Sequence, residues 1–484
     1  MTSEINDKKI VPKKVNDYTY IVEKSGKMNV PVKIFASEKL MEKMLQDNCI
    51  QQGINVATLP GIKGFSIMMP DAHQGYGFSI GGVAAIDTKD GCISPGGVGF
   101  DIGCGVRLLQ TNLNKEEVYP KIHELLNLLF KNVPPGVGTK SLFRLSDSDL
   151  DDILKNGVEW AVRNGYGTKE DMENCEESGK LAEADPSKIS STAKKRGRGQ
   201  LGTLGSGNHF LEVQYVSRIF DKEVAKAFGI REEGQVVAMV HCGSRGLGHQ
   251  TCSEFLRNLE EAYPEIMAKL PEKDLVYAPA QSHFASDYYK AMCASANFAW
   301  ANRHVIGHQI RKSFKEIFGA NVEARTVYDV HHNIAKREEH DVDGTLMELW
   351  VHRKGATRAF GPGMPGLPEK YKDIGQPILI PGSMGTSSWV LVGTNDSMKE
   401  SFGSTAHGAG RVMSRKQANQ TWRGEQLKKD LEKERIFIKA ASWKGITEEA
   451  PGAYKSVQDV VDVSDKARIG RKVAELRPIG VVKG

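Results

Sequence analysis

The sequence predicts a fold that mixes helices and strands, of the α+β or mixed α/β class. Short apolar runs such as residues 236–240 (VVAMV) and 326–330 (TVYDV) are typical of buried strands. Amphipathic stretches such as residues 116–131 are typical of helices that lie against a core. Because the two kinds of segment alternate irregularly, the pattern predicts the class of fold and leaves its topology open.

Capping residues and apolar periodicity predict the first elements. Ser37 is a candidate N-cap for a helix whose apolar face is made of Leu40, Met41, Met44 and Leu45. Residues 116–131 are expected to form one long helix that ends before the prolines at 134 and 135, with an inward face made of Ile122, Leu125, Leu126 and Leu129. Residues 145–190 are acidic and polar, and we expect them to form a helical, solvated outer layer.

The later elements follow from the same two signals. We predict a helix that carries Phe220, Val224 and Phe228 and ends at Gly229, strands over residues 236–240, 326–330 and 346–351, and one charged helix over residues 417–434.

The composition is that of a globular protein with a substantial core, since 40% of residues are hydrophobic and 26% are charged. No apolar run is long enough to cross a bilayer, and the first residues lack the apolar core of a signal peptide. We therefore expect a cytoplasmic protein whose seven cysteines are reduced thiols. The net charge of +5 permits an anionic partner without requiring one. Because no repeat or low-complexity linker divides the chain, residues 1–484 are expected to form one interwoven catalytic domain.

The glycine-rich segment 95–107 (PGGVGFDIGCGVR) is the first candidate site. Its glycines are poor material for a helix or strand interior and suit a loop that turns sharply. Asp101 and Cys104 stand three residues apart, so one turn can aim both side chains at a metal ion. The alternative interpretation is a buried cysteine beside a turn-forming aspartate.

Histidines recur directly after apolar runs or inside glycine-rich loops, where strand ends can converge on a pocket. A single histidine is more often structural than a ligand, but the repeated placement favours a metal site. The candidate ligands are Asp101, Cys104, His209, His241 and one of the pair His331 and His332. This set suffices for one metal with a spare ligand, or for two metals that share a thiolate. Because the ligands are scattered, an open catalytic site is favoured over a zinc-finger module, and ligand softness alone suggests zinc.

Donors suited to phosphate oxygens lie in the same kind of loop, namely Asn208, Arg196, Arg245 and Arg415. His407 is flanked by small residues only, so an uncrowded imidazole is available as a covalent nucleophile on phosphorus. A sixth metal ligand or a general acid fits its position equally well. The chain contains neither a G-x-x-x-x-G-K-[ST] loop nor a K-x-D-G segment, so a nucleotide would be bound by another architecture.

The motifs of this chain resemble, in order, those of the RtcB family of RNA ligases. They are PDAHQGYGFSIGG, SPGGVGFDIGCGVRLL, QLGTLGSGNHFLEV, HCGSRGLGHQ, YDVHHNIAK, VHRKGATRAF, PGSMGTSSWVL, HGAGR and LRPIGVVKG. The resemblance implies the fold of that family, with central β-sheets and helices outside them. It also implies a monomer assisted by a small activating protein, archease.

The resemblance further implies a GTP- and manganese-dependent ligase active in tRNA splicing and RNA repair. Such an enzyme joins RNA that ends in a 2′,3′-cyclic phosphate or a 3′-phosphate to RNA with a 5′-hydroxyl. His407 matches the residue that attacks the α-phosphate of GTP and becomes guanylylated. The guanylate then passes to the RNA 3′-phosphate, and the 5′-hydroxyl expels GMP.

The resemblance also assigns the remaining site residues. The ligands of two manganese ions match Asp101, Cys104, His209, His241 and His332, with Cys104 bridging, which overrides the inference of zinc. His332 is chosen over His331 because it directly precedes the asparagine. Nucleotide contacts fall to Glu212, Ser388, Tyr454, Lys483, Phe210, Asn208 and the stretch Gly408, Ala409 and Gly410. Phosphates fall to Asn208, Arg196, Arg245, Arg411 and Arg415, and Asp71 is expected to orient Lys483.

Two other functions compete with RNA ligation. A metal-dependent phosphodiesterase would use the same metal loops to hydrolyse cyclic phosphates, but it needs neither His407 nor a guanine pocket. A non-catalytic RNA-binding protein is the second competitor. Against it, the basic residues are dispersed, and at 7% aromatic content no stacking platform of clustered aromatics is apparent in the sequence.

Overall fold

The structure is a computed structural model that describes residues 11–484. Helices and strands alternate along the chain, and the predicted mixed fold class is confirmed. The strands are β1 Lys13–Asn16, β2 Thr19–Val22, β3 Val32–Phe35, β4 Ile62–His73, β5 Ile80–Asp87, β6 Cys92–Ile93, β7 Gly105–Asn114, β8 Phe210–Ile219, β9 Gln235–Cys242, β10 Ala278–Pro279, β11 Ala324–His331, β12 Asn333–Val342, β13 Thr345–Lys354, β14 Ala356–Arg358, β15 Pro377–Ile380, β16 Ser388–Val392, β17 Ser404–Ala406, β18 Phe437–Ala440 and β19 Arg471–Lys483. The helices are α1 Glu38–Leu45, α2 Cys49–Val56, α3 Lys115–Val118, α4 Ile122–Asn132, α5 Asp147–Asn156, α6 Val158–Arg163, α7 Lys169–Glu173, α8 Ser191–Arg198, α9 Lys222–Ala227, α10 Arg245–Ala262, α11 Pro264–Met267, α12 His283–Phe318, α13 Asn395–Ser401, α14 Arg415–Thr421, α15 Gly424–Lys433, α16 Trp443–Glu448 and α17 Val457–Lys466.

Two large sheets organise the strands. A seven-stranded sheet has the order β1-β2-β3-β4-β5-β13-β12, and an eight-stranded sheet has the order β11-β7-β9-β8-β19-β16-β15, with β18 beside β19. A single residue, His332, connects β11 of the second sheet to β12 of the first. The short pair β14 and β17 follows the same junction, because β14 begins two residues after β13 ends. The candidate ligand His332 therefore lies at the junction between the two sheets.

The long helix α12 runs through the interior and was not predicted from the sequence. It has 36 residues, which corresponds to about 54 Å, and nearly all of its middle is buried, as are Trp300 and Arg303. It packs against α4, α5, α6 and α10 and against β9. Because apolar and small residues surround it on all sides, its sequence lacks the one-sided apolar period that identifies a surface helix.

Several predicted helices are confirmed in kind and differ in extent. The side chain of Ser37 caps α1 as expected, but Leu45 is 54% exposed and does not belong to its buried face. The predicted helix over residues 116–131 is interrupted by a 3-10 turn at Tyr119–Lys121, because Pro120 lacks the N–H that an α-helix requires. Its expected inward face is buried in α4.

Two further predictions are corrected by packing. The helix expected over residues 417–434 is divided into α14 and α15, since Gly424 lies tightly against Trp443 and the chain turns there. Phe220 lies outside α9, 40% exposed, against Trp389. Residues 145–190 are largely helical as predicted, but they are not a purely solvated layer, because the apolar residues of α5 pack into a core with α12.

Candidate active site

The candidate metal ligands converge where four neighbouring strands of the eight-stranded sheet begin or end. Cys104 directly precedes β7 and His209 directly precedes β8, whereas His241 lies near the end of β9 and His332 directly follows β11. These four strands are antiparallel neighbours in the order β11-β7-β9-β8. In neighbouring antiparallel strands, the start of one strand lies beside the end of the next. The four side chains therefore share one location.

The ligand atoms form two groups that share one sulfur. The Sγ atom of Cys104 lies 3.3 Å from Nε2 of His241 and 3.5 Å from Nε2 of His209. On one side, Nε2 of His241 lies 3.2 Å from Nε2 of His332. On the other side, Nε2 of His209 lies 2.8 Å from Oδ2 of Asp101. The groups Cys104, His241, His332 and Asp101, Cys104, His209 each keep all their ligand atoms within 4.8 Å of one another. This geometry fits the alternative of two metals that share a thiolate.

The histidines of the cluster differ in protonation, because the neighbouring cysteines and Asp101 hold the pKa of His209 well above its usual range despite burial, so a metal ion would have to displace its proton. The Nδ1 atom of His209 lies 3.1 Å from the carbonyl oxygen of Leu204, which orients Nε2 toward Asp101 and Cys104. Burial, together with nearby cationic groups, holds the pKa of His241 and of His332 well below the usual range, so both rings are neutral. Burial raises the pKa of the Cys104 thiol to about 12, and a bound divalent cation is what would stabilise its thiolate. The donor set therefore fits a metal pair.

His332 rather than His331 belongs to the cluster. His331 is the last residue of β11, and its ring stacks on Trp300 of α12 with 3.8 Å between the ring centroids. Its side chain is fully buried and turned away from the other candidate ligands. The choice made from the neighbouring asparagine thus agrees with the geometry.

Two buried residues that the sequence analysis missed support the metal loops. Arg303 of α12 donates hydrogen bonds of 2.8 Å to the carbonyl oxygens of both Gly103 and Cys242. Asp329 of β11 pairs with Arg303 at 2.7 Å. They could not be found from the sequence because α12 was not predicted, and only the packing of α12 against β9 brings Arg303 to these loops.

His407 is held by a buried carboxylate. Its Nδ1 lies 2.6 Å from Oδ2 of Asp71, and the same oxygen accepts hydrogen bonds from the backbone N–H groups of His407 and Gly408 at 3.1 and 3.2 Å. Burial alone would raise the pKa of Asp71, but the imidazole of His407 holds it below the usual value. The ring of His407 lies 4.7 Å from that of His332. Nδ1 is therefore fixed, and Nε2 has no hydrogen-bond partner among the described residues.

The expectation that Asp71 orients Lys483 is wrong. The Asp71 carboxylate binds His407, whereas the Lys483 ammonium donates to the carbonyl oxygens of Gly207 and His209 at 2.6 and 2.8 Å. The register of β19 against β8 explains this, because Lys483 is paired with Phe210 and lies beside the loop that precedes β8.

One cavity adjoins His407 and collects most of the predicted nucleotide contacts. It is lined by Asn208, Phe210, Glu212, Gly408, Ala409, Gly410, Tyr454 and Lys483, and by His241, Arg411 and Arg415. The sequence analysis missed other lining residues, namely His73, Ile80, Pro381, Gly382, Ser383, Met384 and Glu449. Residues 381–384 belong to the quoted motif PGSMGTSSWVL, so the signal for them was present in the sequence. Gly410 has a φ of +74°, and a Cβ there would collide with the backbone of Asp71.

Glu212 lines the cavity and Ser388 does not, and the two are linked through the side chain of Gln214. Oε2 of Glu212 and Oγ of Ser388 both accept hydrogen bonds from the side-chain amide of Gln214, at 2.7 and 2.9 Å. Ser388 also accepts from the backbone N–H of Gly382 at 3.0 Å and does not line the cavity. Oε1 of Glu212 is buried without a partner among the described residues, and burial raises the pKa of Glu212 to about 8.

The four predicted phosphate-binding arginines lie in four different settings. Arg196 is exposed on α8, and Arg245 is buried with its guanidinium 3.3 Å from Nδ1 of His209. Arg415 is half exposed at the cavity rim. Arg411 is largely used by the protein itself, since it donates to the carbonyl oxygens of Met413 and Glu448, to the carboxylate of Glu449 and to the hydroxyl of Tyr454. Its contacts hold Tyr454 at the cavity wall.

Within residues 11–484, no helix is both long enough and apolar enough to cross a bilayer. All seven cysteines are unpaired and buried, as the sequence predicts.

Comparison with known proteins places these features in one family. A family profile described as tRNA-splicing ligase RtcB matches residues 52–484. The tRNA-splicing ligase RtcB of Thermococcus kodakarensis is 55% identical over 482 residues, which cover 99% of this chain and 100% of that protein. The protein of the same name from Pyrobaculum aerophilum is 54% identical over 477 residues, which cover 97% of this chain and 99% of that protein. The one from Methanococcus maripaludis is 52% identical over 476 residues, with the same two shares.

Proposed function

Because this chain belongs to the RtcB family of tRNA-splicing ligases, we propose that it is a GTP-dependent RNA ligase that works through a guanylylated His407. It joins an RNA 3′-phosphate or 2′,3′-cyclic phosphate end to a 5′-hydroxyl end, in tRNA splicing and RNA repair. The observation that carries this proposal is the contact between Asp71 and His407, whose imidazole adjoins the candidate metal ligand His332 and lines a cavity.

In the first step, the lone pair on Nε2 of His407 attacks the α-phosphorus of GTP. A nitrogen–phosphorus bond forms, the bond from that phosphorus to the bridging oxygen breaks, and pyrophosphate leaves. The Nδ1 proton stays between the ring and Asp71, whose carboxylate stabilises the positive charge that develops on the imidazole. Asp71 thereby makes Nε2 the nucleophilic nitrogen.

In the later steps the guanylate moves to RNA. A cyclic phosphate is first opened by water to the 3′-phosphate. An oxygen of that 3′-phosphate attacks the guanylate phosphorus, and the electron pair of the broken bond returns to Nε2. The oxygen of the 5′-hydroxyl then attacks the RNA phosphorus and its proton passes to water. The 3′–5′ phosphodiester bond forms as the bond from that phosphorus to the oxygen shared with the guanylate breaks, and GMP leaves.

The candidate metal ligands suit two manganese ions, with Asp101 and His209 on one, His241 and His332 on the other, and Cys104 between them. Ions held there would supply positive charge that offsets the charge of phosphate oxygens and of the pyrophosphate leaving group.

Guanine selectivity is assigned to two buried residues, the acid Glu212 and the base Lys483. The free carboxylate oxygen of Glu212 accepts from the N1 and N2 edge, and the Lys483 ammonium donates to O6. Adenine presents the reverse pattern, so each side chain would face a partner of the wrong kind. The family resemblance also supports a monomer that is activated by an archease-type protein.

The decisive experiment supplies the full chain with α-labelled GTP, manganese, archease and two RNAs, one ending in a cyclic phosphate and one beginning with a 5′-hydroxyl. We expect acid-labile, base-stable label on the protein and a joined RNA product. Hydrolysis of the cyclic phosphate without label and without joining would instead identify a metal-dependent phosphodiesterase.

The raised pKa of Glu212 predicts that GTP binding is linked to proton release. The protein surroundings hold the Glu212 carboxyl partly protonated, since its pKa is about 8, whereas guanine requires the ionised form. Affinity should therefore rise with pH until the pH exceeds about 8, approaching about tenfold per pH unit well below that value. The measurement is GTP affinity across pH in a His407→Ala background, where no covalent step occurs. The same pH series is measured with the double variant His407→Ala/Glu212→Gln, so that the contribution of other titrating groups can be subtracted. An equal slope of GTP affinity against pH in both variants would show that Glu212 does not take part in guanine recognition.

Removal of the Lys483 ammonium is expected to weaken GTP use without preventing folding. Replacement of Lys483 by Met, or deletion of residues 483–484, removes a charge-assisted hydrogen bond to O6. We expect GTP affinity to fall by about ten- to a hundredfold, the size of effect typical of a hydrogen bond to a charged group. The check is the GTP dependence of guanylylation beside a thermal unfolding curve. Normal guanylylation at low GTP would show that the ammonium serves only the carbonyl groups of Gly207 and His209.

A further inference from the structure

Three aromatic side chains from distant parts of the chain meet beside the candidate metal cluster. Tyr76 and Phe100 contact edge to face with 5.1 Å between their ring centroids. Phe100 and His249 are nearly parallel, with 15° between their planes and 6.4 Å between their centroids. Tyr76 is 38% exposed, His249 is exposed and Phe100 is half-buried. The sequence analysis found no clustered aromatics because these residues come from the loop after β4, the loop before β7 and helix α10.

The position of this array relative to the metal cluster and the nucleotide cavity indicates what it can bind. Contacts run without a break from His407 through His332, His241, Cys104 and His209 to Asp101. Phe100 is the chain neighbour of Asp101, and none of Tyr76, Phe100 and His249 lines the cavity proposed for GTP, so the array borders the Asp101 end of this line from outside that cavity. While GTP or guanylate fills the cavity, an RNA end can approach the cluster only from outside the cavity. The aromatic array borders the cluster on such an approach, at Asp101.

The array is held in place by a buried lysine. The Lys354 side chain passes Gly99, whose Cβ position would lie 3.6 Å from Cε of Lys354. The ammonium of Lys354 donates to the carbonyl oxygen of Tyr76. Lys354 thus ties the loop that carries Tyr76 to the loop that carries Phe100, and the exposed rings have a fixed arrangement.

The charges around the array favour a nucleobase at its Tyr76 end and a phosphate only at its other end. Burial and the neighbouring carboxylate of Asp274 raise the pKa of Tyr76 to about 12. A phosphate beside that carboxylate would be repelled, whereas a neutral base can stack on the ring. At the opposite end, the exposed Arg196 lies against Gly246, one helical turn before His249.

We propose that Tyr76, Phe100 and His249 form a stacking platform for the nucleobase adjacent to the RNA end that enters the metal cluster. This inference rests on the proposed function and names the residues that position the RNA. Every base has a flat face, so the platform tolerates any sequence while it fixes the distance of the end from the cluster. The 3′-phosphate strand and the 5′-hydroxyl strand both carry such a base, and the experiment distinguishes them.

The test places 2-aminopurine at the terminal position of one strand at a time. With wild-type protein we expect its fluorescence to be quenched on binding for the strand that uses the platform, and not for the other. Tyr76→Leu and His249→Leu should relieve the quenching and weaken binding of that strand by about tenfold, the typical range for loss of one base–aromatic contact. Tyr76→Phe keeps the ring and should bind normally. Phe220→Leu removes an exposed aromatic ring elsewhere and serves as the matched control.

A terminal abasic residue tests the same contact without altering the protein. Wild type should bind the abasic strand as weakly as Tyr76→Leu binds the intact strand, and the two changes together should cost little more than either one. If the decreases in affinity caused by the abasic residue and by Tyr76→Leu multiply when combined, the two changes act independently and the platform proposal is overturned. Unchanged quenching in Tyr76→Leu and His249→Leu would overturn it as well. Guanylylation without RNA is measured in parallel. Its absence in wild type would overturn the ligase proposal, whereas its presence beside unaffected RNA binding would overturn the platform alone.

Discussion

His407→Ala is expected to abolish the covalent attachment of GMP to this protein. Alanine has no nitrogen to attack the α-phosphorus, and no other imidazole both lines the cavity and is fixed through Nδ1 by a buried carboxylate in residues 11–484. With α-labelled GTP and manganese, label on the denatured protein should fall to background, and joining of 3′-phosphate RNA should be lost with it.

Asp71→Asn should retain the fold of the site but slow guanylylation by about two to four orders of magnitude. The amide can still accept from the backbone N–H groups of His407 and Gly408, yet it no longer offers a negative charge to the imidazole. The label should therefore accumulate slowly rather than vanish. This difference in rate separates a residue that orients the nucleophile from the nucleophile itself.

His123→Ala is the matched control for His407→Ala, because His123 is an exposed histidine on α4 that packs against Phe437. It should be labelled like wild type. Full labelling of His407→Ala would contradict the assignment, and His407 would then return to the alternatives of a metal ligand or a general acid.

Cys104→Ala is expected to abolish the binding of both proposed manganese ions. Its sulfur belongs to both ligand groups, whereas Asp101 and His332 belong to one group each. Loss of a residue that only hydrogen-bonds to a metal ligand weakens metal binding by up to about a hundredfold. Loss of a direct ligand such as Cys104 should weaken manganese binding by at least that much. Equilibrium dialysis should find two ions on wild type, one on Asp101→Asn and on His332→Gln, and none on Cys104→Ala at the same free manganese concentration.

Cys293→Ala supplies the control for that series. Cys293 is a buried thiol within α12 and lies outside both ligand groups, so its loss should leave two ions bound. Two ions on Cys104→Ala would contradict a shared thiolate. The paramagnetic coupling of two manganese ions offers a second readout, since ions joined through one sulfur should be coupled in wild type and in Cys293→Ala.

Local signals in the sequence were sufficient for several local features around the candidate site. Ser37 caps α1, the apolar run before His241 forms β9, and glycines surround Asp101 and Cys104 in a tight loop, all as predicted. Such features depend on a few neighbouring residues, because capping, alternation and backbone freedom act over one or two turns of chain. The resemblance to a known family then joined these pieces into one candidate site.

Contacts between distant segments were decided only by the tertiary structure. The partner of Asp71 is His407 rather than Lys483, because the register of β19 against β8 carries Lys483 to the carbonyl groups before β8. For a similar reason Ser388 does not line the cavity, since its place in β16 directs it to Gln214. Register depends on pairing across the whole sheet, which no local pattern encodes.

The same distinction separates α12 and the aromatic array from what the sequence alone determined. A helix buried on all sides has no polar face, so its periodicity is hidden until its neighbours are known. Tyr76, Phe100 and His249 lie far apart along the chain and become one surface only when two loops and a helix meet. The sequence by itself determined the chemical groups that this protein carries. The tertiary structure decided which groups touch, because side-chain contacts depend on the packing of elements that lie far apart along the chain.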